Sequence, residues 1–376
     1  MLLALDQLLD TFIGMGIPGN DCAVYYKGKC VYRKQRGFSD YEKKTEMNGS
    51  ERYNIYSCSK PITCAAALQL WEKGAFSLEH RLDKYIPEFS EMRVKCEDGS
   101  LKRAEKPILI KHLFEMTSGL GYDTASPSLL AVRKETDGKC PTLKVMKYLA
   151  REPLSFEPGE RWQYSFSHDV LAALVELLCG ERYSEYVKKN IFDPLGMVNS
   201  TFNLPTEEQD SLCAQYVYAN GEYRNCGKHI QFYKLGSEYD SGGAGCISTV
   251  DDYMKFLEAM RLGGVILKKE TVDLMATNRL TESQRPAGDL GWLKTYGYGL
   301  GVRCYREGSN YCDFGWNGAA GAHMAIDREN EISIYYAQHV LGSPIAKIRH
   351  MVYAAARDEI LARPENFIQK VTRPAT

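Results

Sequence analysis

A serine and a lysine lie three residues apart at the start of an otherwise apolar segment. Residues 54–74 read NIYSCSKPITCAAALQLWEKG, and Ser57 and Lys60 are the candidate reactive side chains. Because residues three apart share one face of a helix, both side chains can point the same way. A serine hydroxyl needs a base to become a nucleophile, and a lysine can be that base where burial disfavours its ammonium form. The pair predicts nucleophilic catalysis. The alternative is a helix cap beside a solvated lysine.

The element that must position this pair is a helix. Apolar residues recur at helical spacing after Lys60, and Gly74 is a natural stop, so we predict a helix over residues 60–73. Similar patterns predict helices in the middle of the chain, over residues 110–116, 143–150, 168–178 and 183–191.

Strand patterns lie on both sides of these helices. Residues 22–40 alternate apolar and polar side chains around Lys27-Gly28-Lys29, which is typical of a β-hairpin. Strand patterns return at 297–307, 319–327 and 330–340, and an amphipathic helical pattern covers 344–361. The predicted fold class is α+β, with an antiparallel sheet flanked by N- and C-terminal helices. Residues 1–56 and 240–376 form the sheet region, and residues 57–239 form an inserted, mainly helical region.

The first residues of the chain resemble a signal peptide only in being apolar. Asp6 and Asp10 interrupt the apolar stretch, and no basic residue precedes it. The apolar positions fit one face of an amphipathic helix that closes at Gly14. Those positions are Leu2, Leu5, Leu8, Leu9 and Phe12.

Composition narrows the classes of partner. The 376 residues are 44% hydrophobic and 25% charged, which suits one large domain or two intimately packed ones. A formal net charge of -1 argues against a nucleic-acid partner or an anionic membrane surface, and no apolar run is long enough to cross a bilayer. We therefore expect a small-molecule substrate. Composition makes no prediction about oligomeric state.

The cysteines indicate a reducing compartment. The 12 cysteines are scattered from Cys22 to Cys312 without a C-x-x-C pair or a metal-spaced His/Cys cluster. We expect free thiols, a cytoplasmic location, and neither a metal nor another cofactor.

Three motifs of other enzyme classes are not found in the sequence in the context they require. No G-x-S-x-G elbow and no G-x-G-x-x-G after a strand occurs, and the seven histidines include no H-E-x-x-H. Two further stretches remain as companions of Ser57. PGERWQYSFSHD places Tyr164 before a helix, and DFGWNGAAGAHMAID places Trp316 at the start of a small-residue strand. Each aromatic could instead be a packing residue.

Taken together, these stretches resemble the serine β-lactamase-like superfamily, which includes DD-peptidases, class C β-lactamases and family VIII carboxylesterases. The resemblance covers most of residues 22–338 in the order S-x-x-K, P-G-x-x-x-x-Y-S, G-W-x-G. It implies that Ser57 is the acylated nucleophile, with Lys60 and Tyr164 sharing its proton. It also implies an oxyanion hole made by the backbone amides of Ser57 and Ala319, the latter just after an edge strand.

Departures from the superfamily pattern bear on the substrate. Where lactamases and DD-peptidases have Lys-Thr-Gly to hold a carboxylate, this chain has Trp316-Asn317-Gly318, and Lys294-Thr295 stands a strand too early. Phe166 also stands where the family has an asparagine. We predict that Trp316, Asn317, Gly318 and Phe166 line a site for small neutral esters, and that tyrosine-rich residues 216–239 include a loop beside the substrate.

The predicted function is accordingly a carboxylesterase that forms an acyl-Ser57 intermediate. The alternatives within the fold are a β-lactamase, a D-amino-acid peptidase acting on an amide, and an acyltransferase. A non-catalytic, penicillin-binding-like sensor is an alternative from a different class.

Overall fold

The computed structural model describes residues 2–285 and 295–367. The strands are β1 (Gly19–Tyr26), β2 (Lys29–Asp40), β3 (Thr45–Glu46), β4 (Tyr53–Asn54), β5 (Arg93–Lys95), β6 (Leu101–Arg103), β7 (Tyr216–Ala219), β8 (Glu222–Asn225), β9 (Ile247–Ser248), β10 (Gly297–Tyr298), β11 (Arg303–Cys304), β12 (Phe314–Asn317), β13 (His323–Asp327), β14 (Ile332–Gln338) and β15 (Val340–Leu341). The helices are α1 (Leu3–Gly14), α2 (Ser59–Glu72), α3 (Ile110–Phe114), α4 (Pro127–Glu135), α5 (Thr142–Leu149), α6 (Ser167–Cys179), α7 (Tyr183–Val187), α8 (Asp193–Leu195), α9 (Val250–Leu262), α10 (Lys269–Met275) and α11 (Met351–Ala362).

The main sheet has eight strands in the order β10-β11-β12-β13-β14-β1-β2-β3, and its neighbours pair antiparallel. Side chains alternate between its two faces along β14. Ile334 and Tyr336 pack with α1 and α11 on one face, whereas Tyr335 and Ala337 join the larger core that includes α2, α6 and α9. The sheet is therefore covered by helices on both faces. The predicted α+β class, with terminal helices flanking an antiparallel sheet, is confirmed.

The predicted N-terminal helix and hairpin are confirmed in detail. Leu5, Leu9 and Phe12 are buried on one face of α1. In the turn between β1 and β2, Lys27 and Gly28 have φ of 51° and 76°. Two successive left-handed residues are the backbone that a tight two-residue hairpin requires, because their twist matches that of the strands.

The inserted helices pack around α2. This helix is buried almost all round, as its run of alanine, leucine and cysteine predicts, and it contacts α6 and α7. Pro61 lies in its first turn, where the missing N–H costs nothing. Most predicted helices are found within one or two residues, but α7 passes into a π-helical turn over Lys188–Phe192. The division of the chain at residues 57 and 240 remains a prediction.

Four expectations about the C-terminal half were wrong. The small-residue strand expected over 319–327, with Trp316 at its start, begins only at His323, because β12 already ends at Asn317 and residues 318–322 turn the chain between the two strands. The helix expected over 344–361 begins only at Met351, because residues 344–350 form successive turns. The expected strand over 297–307 is interrupted by a turn, leaving two-residue strands β10 and β11. As a result, β12 is the third strand of the sheet and not its edge, although β11 pairs with it only at Arg303↔Gly315.

Candidate active site

Ser57 lies in a 3₁₀ turn, Tyr56–Cys58, between β4 and α2. The turn is held at its start by a hydrogen bond from the Ile55 amide to the Cys246 carbonyl oxygen, 3.1 Å. Tyr56 has a φ of 47°, a left-handed conformation that costs a non-glycine residue about 1–2 kcal/mol. Its buried ring is fixed by a hydrogen bond of 3.0 Å from its hydroxyl to Gln215 Oε1. The surrounding core thus imposes the sharp backbone that carries Ser57.

The Ser57 hydroxyl faces the two partners that the sequence predicts. Ser57 Oγ is hydrogen-bonded to the Tyr164 hydroxyl, and Lys60 Nζ lies 3.5 Å from the same oxygen. Ser57 and Tyr164 are half-buried, whereas Lys60 is fully buried. The structure therefore brings together a hydroxyl that can be acylated and two groups that can exchange its proton.

Lys60 is held mainly by main chain. Its Nζ donates a hydrogen bond of 2.7 Å to the carbonyl oxygen of Gly243. A Cβ placed on Gly243 would lie 3.2 Å from Lys60 Nζ and 2.5 Å from Asp169 Oδ2. Gly243 thus occupies the narrow space between the ammonium and a carboxylate.

Asp169 is the buried acid on the far side of that space. Its Oδ1 accepts hydrogen bonds from Tyr239 and Ser241, at 2.8 and 2.7 Å, while Oδ2 has no hydrogen-bond partner among the described residues. Burial raises the pKa of the Asp169 carboxyl above its usual range, and the positive charge of Lys60 opposes that rise. An ionised Asp169 would be a counter-ion for Lys60 in a site that excludes water.

Tyr164 stands in an extended segment that is clamped to the loop after α3. The Gln163 amide donates to the Met116 carbonyl oxygen at 2.8 Å, and the Phe166 amide donates to the Gly121 carbonyl oxygen at 3.0 Å. These bonds on both sides of Tyr164 fix where its hydroxyl lies.

Tyr122 connects the aromatic side chains of the site. Its ring contacts those of Tyr164, Phe166 and Tyr233, with centroids 5.2, 4.7 and 5.8 Å away. Lys60 Nζ also lies 5.5 Å from its centroid, within range of a cation–π attraction. Tyr233 belongs to the stretch predicted to lie beside the substrate, and it packs against Tyr56 as well, at 5.7 Å.

Trp316 approaches the site from β12. Its ring stacks on that of Tyr164 with a centroid distance of 6.2 Å and an interplanar angle of 3°, and it meets Tyr298 edge to face at 5.2 Å. Only 3% of Trp316 is exposed. The indole therefore stacks behind Tyr164, and the expectation that substrate lies against it stays a prediction.

The remaining predicted residues have distinct surroundings. Asn317 Oδ1 lies 2.8 Å from Nδ1 of the buried His323, so the strand itself engages this amide. Phe166 is 3% exposed and packs on Tyr122. Lys294 lies outside the described residues.

Gly318 and Ala319 follow β12 in a turn beside Ser57. A Cβ on Gly318 would lie 2.6 Å from the Ile55 carbonyl oxygen, which shows how closely the turn approaches the segment before Ser57. Ala319 packs in a small cluster with Tyr56 and Ala244. Within residues 2–285 and 295–367, no group accepts a hydrogen bond from the Ala319 amide.

Three residues near Ser57 were missed by sequence reasoning. Tyr122 stands two residues after the segment LIKHLFEMTSGL (residues 109–120), and Asp169 looks like an ordinary acid in the first turn of a helix. Gly243 stands in SGGAG, which gave no sign of its neighbours. Their contacts join parts of the chain far apart in sequence, and no local pattern reports such contacts.

The described residues contain no group of three or more His, Cys, Asp or Glu side chains that could hold a metal ion. In the same ranges, no helix is both long and apolar enough to cross a bilayer.

Comparison with known proteins places these features in a family. The profile of the Beta-lactamase family matches residues 5–357. Esterase EstB of Burkholderia gladioli is 29% identical over 292 residues, which cover 71% of this chain and 72% of EstB. Lovastatin esterase of Penicillium rubens is 28% identical over 347 residues, which cover 83% of this chain and 86% of that enzyme.

The fold is shared with a solved hydrolase. The structure of EstCE1, described as a hydrolase with promiscuous acyltransferase activity, matches with a TM-score of 0.76 at 23% identity, over 96% of this chain and 99% of EstCE1. This chain belongs to the Beta-lactamase family and is a serine hydrolase or acyltransferase of that fold.

Proposed function

We propose that this member of the Beta-lactamase family is a carboxylesterase that cleaves small neutral esters through an acyl-Ser57 intermediate. The observation that carries the proposal is the convergence of Tyr164 OH and Lys60 Nζ on Ser57 Oγ. A hydroxyl with two proton-exchanging groups at hand is the arrangement that nucleophilic catalysis needs.

In the proposed acylation, Ser57 Oγ bonds to the ester carbonyl carbon while its proton passes to the network of Tyr164 and Lys60. The carbonyl oxygen becomes an oxyanion, to which the Ser57 and Ala319 amides donate hydrogen bonds. Collapse of this intermediate breaks the bond to the alkoxy group, which leaves as an alcohol with a proton from the network. Water then attacks the acyl carbon in the same way and releases the acid and free Ser57.

Asp169 adjusts the charge of this network. It lies across Gly243 from Lys60, and an ionised Asp169 would place a negative charge beside the nitrogen that takes up the Ser57 proton. The Asp169 carboxylate can therefore balance the positive charge that the network gains when it takes up the Ser57 proton.

The preference for neutral esters follows from β12. A lysine in the third motif would offer a cation to a substrate carboxylate, whereas Trp316 offers only an indole stacked on Tyr164. A buried carboxylate without a partner costs several kcal/mol. The names of Esterase EstB and lovastatin esterase agree with ester substrates. EstCE1 is described as a hydrolase with promiscuous acyltransferase activity, so the second candidate function is transfer of the acyl group to an alcohol in place of water.

We also propose a cytoplasmic location. All 12 cysteines of the chain are free, and Cys30 is exposed. Unpaired thiols in this number suit a reducing compartment.

Two assays test the proposed function. A fluorophosphonate probe should label the wild type and leave Ser57→Ala unlabelled, which separates an enzyme from a binding protein. A panel of short nitrophenyl esters beside a chromogenic cephalosporin separates an esterase from a β-lactamase. Labelling of Ser57→Ala, or equal turnover of both substrate types by the wild type, would contradict the proposal.

A further inference from the structure

A guanidinium lies behind the turn that follows β12. Arg349 belongs to the turns between β15 and α11, and its Nη1 donates a hydrogen bond of 2.7 Å to the Gly318 carbonyl oxygen. Its Nε is buried and has no acceptor among the described residues. Buried Arg303 pairs with Asp313 at 2.6 Å, whereas no carboxylate in residues 2–285 or 295–367 pairs with Arg349. The strongest polar contact of this cation is therefore a backbone carbonyl.

That carbonyl belongs to the peptide unit whose N–H is the Ala319 amide. A trans peptide is planar, so its C=O and N–H point in opposite directions, and the described residues contain no cis peptide bond. A donor that fixes the Gly318 oxygen therefore fixes the direction of the Ala319 N–H. The Gly321 amide also donates to the Gly318 oxygen, at 3.1 Å, which closes the turn.

The same peptide unit faces the chain segment that carries Ser57. Gly318 has no side chain, and a Cβ there would lie 2.6 Å from the Ile55 oxygen and 3.6 Å from Cys58 Sγ. Ile55 and Cys58 stand on either side of the Tyr56–Ser57 pair. Arg349 thus holds this peptide through its carbonyl oxygen, while Gly318 packs against the segment that carries Ser57.

We infer that Arg349 is a positioning residue of the oxyanion site, orienting and polarising the Gly318–Ala319 peptide so that its N–H binds the developing oxyanion. The inference rests on the proposed function, because it assumes an oxyanion formed on an acyl-Ser57 pathway. Hydrogen bonds in a chain strengthen one another, and a bond from a charged donor is about twice as strong as a neutral one. The Arg349 charge also acts through this short path on the negative charge of the tetrahedral intermediate.

The alternative role is a tether that joins the turns at 344–350 to the sheet. A tether contributes to stability but not selectively to the transition state. A positioning role predicts a loss in kcat with little change in KM, since the oxyanion exists only after substrate has bound.

Three substitutions separate these roles. Arg349→Met removes charge and hydrogen bond, Arg349→Gln keeps a neutral donor, and Arg349→Lys keeps the charge. Lys255→Met is the control for loss of a cation from a glycine carbonyl away from the site, because Lys255 Nζ donates to the Gly196 carbonyl oxygen at 2.5 Å, although it also pairs with Asp252 at 2.8 Å. Steady-state rates with a short nitrophenyl ester, inhibition by a phenylboronic acid and thermal unfolding are measured for each variant.

We expect Arg349→Met and Arg349→Gln to lower kcat about tenfold to a hundredfold, less than the loss of a whole oxyanion donor, with KM changed less than about threefold. Arg349→Lys should recover most of kcat. Affinity for the boronic acid, whose Ser57 adduct is tetrahedral, should fall in parallel with kcat. Lys255→Met should keep wild-type kcat and boronic acid affinity.

The inference is overturned if folded Arg349→Gln keeps wild-type kcat, whether or not its melting temperature falls, or if folded Arg349→Lys loses as much kcat as Arg349→Gln. If Arg349→Met does not fold, the other two variants decide. Ser57→Ala separates this outcome from failure of the proposed function. Full turnover by Ser57→Ala would reject the acyl-Ser57 pathway itself, whereas an inactive Ser57→Ala with active Arg349 variants rejects only the role of Arg349.

Discussion

The two sides of the site are built differently. On the helical side, formed by α2, α6 and the loops they hold, Ser57, Lys60 and Tyr164 meet as polar side chains, and Asp169 lies behind them. On the sheet side, formed by β12 and the turn after it, Trp316 packs on Tyr164 and the Asn317 amide is engaged by His323. There the group that we propose as an oxyanion donor is a main-chain N–H, that of Ala319.

This difference separates reactivity from recognition. In the proposed reaction the helical side supplies the nucleophile and its proton network, whereas β12 presents the Trp316 indole. Since the two sides come from different parts of the chain, substitutions on the sheet side can change the substrate preference without changing proton transfer on the helical side. The predictions below test that separation.

The largest effect should come from the helical side. Ser57→Ala removes the nucleophile, and we expect ester turnover to fall by more than about a thousandfold, because loss of a catalytic serine usually costs far more than a binding contact. Turnover is measured with a short nitrophenyl ester beside Ser100→Ala, which removes a serine next to β6. Retention of more than about a hundredth of wild-type activity, with the fold intact, would show that the reaction does not pass through Ser57.

The next effect concerns whether the helical side acts as a unit. Lys60→Ala and Tyr164→Phe should each slow acylation by about a hundredfold or more. The double variant should be little worse than the poorer single one, because both contact the same oxygen and groups in one proton network are not additive. Pre-steady-state acylation rates provide the measurement, and losses that multiply would indicate independent roles.

A smaller effect should come from the sheet side. The wild-type kcat/KM for a short neutral ester should exceed that for a chromogenic cephalosporin by at least about a hundredfold, equal to about 2.7 kcal/mol. Trp316→Lys should narrow this ratio in two ways. The new cation should raise kcat/KM for the cephalosporin, and loss of the ring that stacks on Tyr164 should lower kcat/KM for the ester. A ratio unchanged by Trp316→Lys would mean that β12 does not set the preference.

The last effect concerns stability instead of turnover, and the helical region and the sheet should share it. Burial lowers the pKa of His112, in α3, to about 4, and burial likewise lowers that of His339, next to β14, to about 4. In the unfolded chain each histidine has an ordinary pKa of about 6.5, so as the pH falls the unfolded state takes up a proton before the folded state does. The free energy of unfolding should therefore fall by about 1.4 kcal/mol per histidine for each pH unit between 6.5 and 4.

Urea unfolding at several pH values measures that slope. His112→Asn and His339→Asn should each reduce the slope of the unfolding free energy against pH by about 1.4 kcal/mol per pH unit, which corresponds to one proton. This holds whatever each substitution does to stability at pH 7. A reduction in only one of the variants would show that the helical region and the sheet do not share this response to acid.

The sequence allowed much of this structure to be predicted, and the limits have physical causes. α2 and the hairpin of β1 and β2 have strong periodic patterns and clear turn residues, so their bounds were nearly right. Ser57, Lys60 and Tyr164 were found because their motifs are local. Tyr122, Asp169 and Arg349 were not, because each acts on a residue more than 25 positions away. The turns at 344–350 were read as helix since their apolar residues also fit a helical period.

The anchor of Lys60 has a consequence for how this site tolerates mutation. A main-chain carbonyl remains after any substitution, so no single codon change removes the Gly243 oxygen that accepts the Lys60 hydrogen bond. The site is sensitive instead to any side chain at position 243, because even alanine would bring a methyl group to 2.5 Å from Asp169 Oδ2. In a library of random variants, substitutions of Gly243 should therefore become rare under selection for turnover. Under selection for folded protein alone, where Lys60 and Asp169 can move apart, depletion should be weaker.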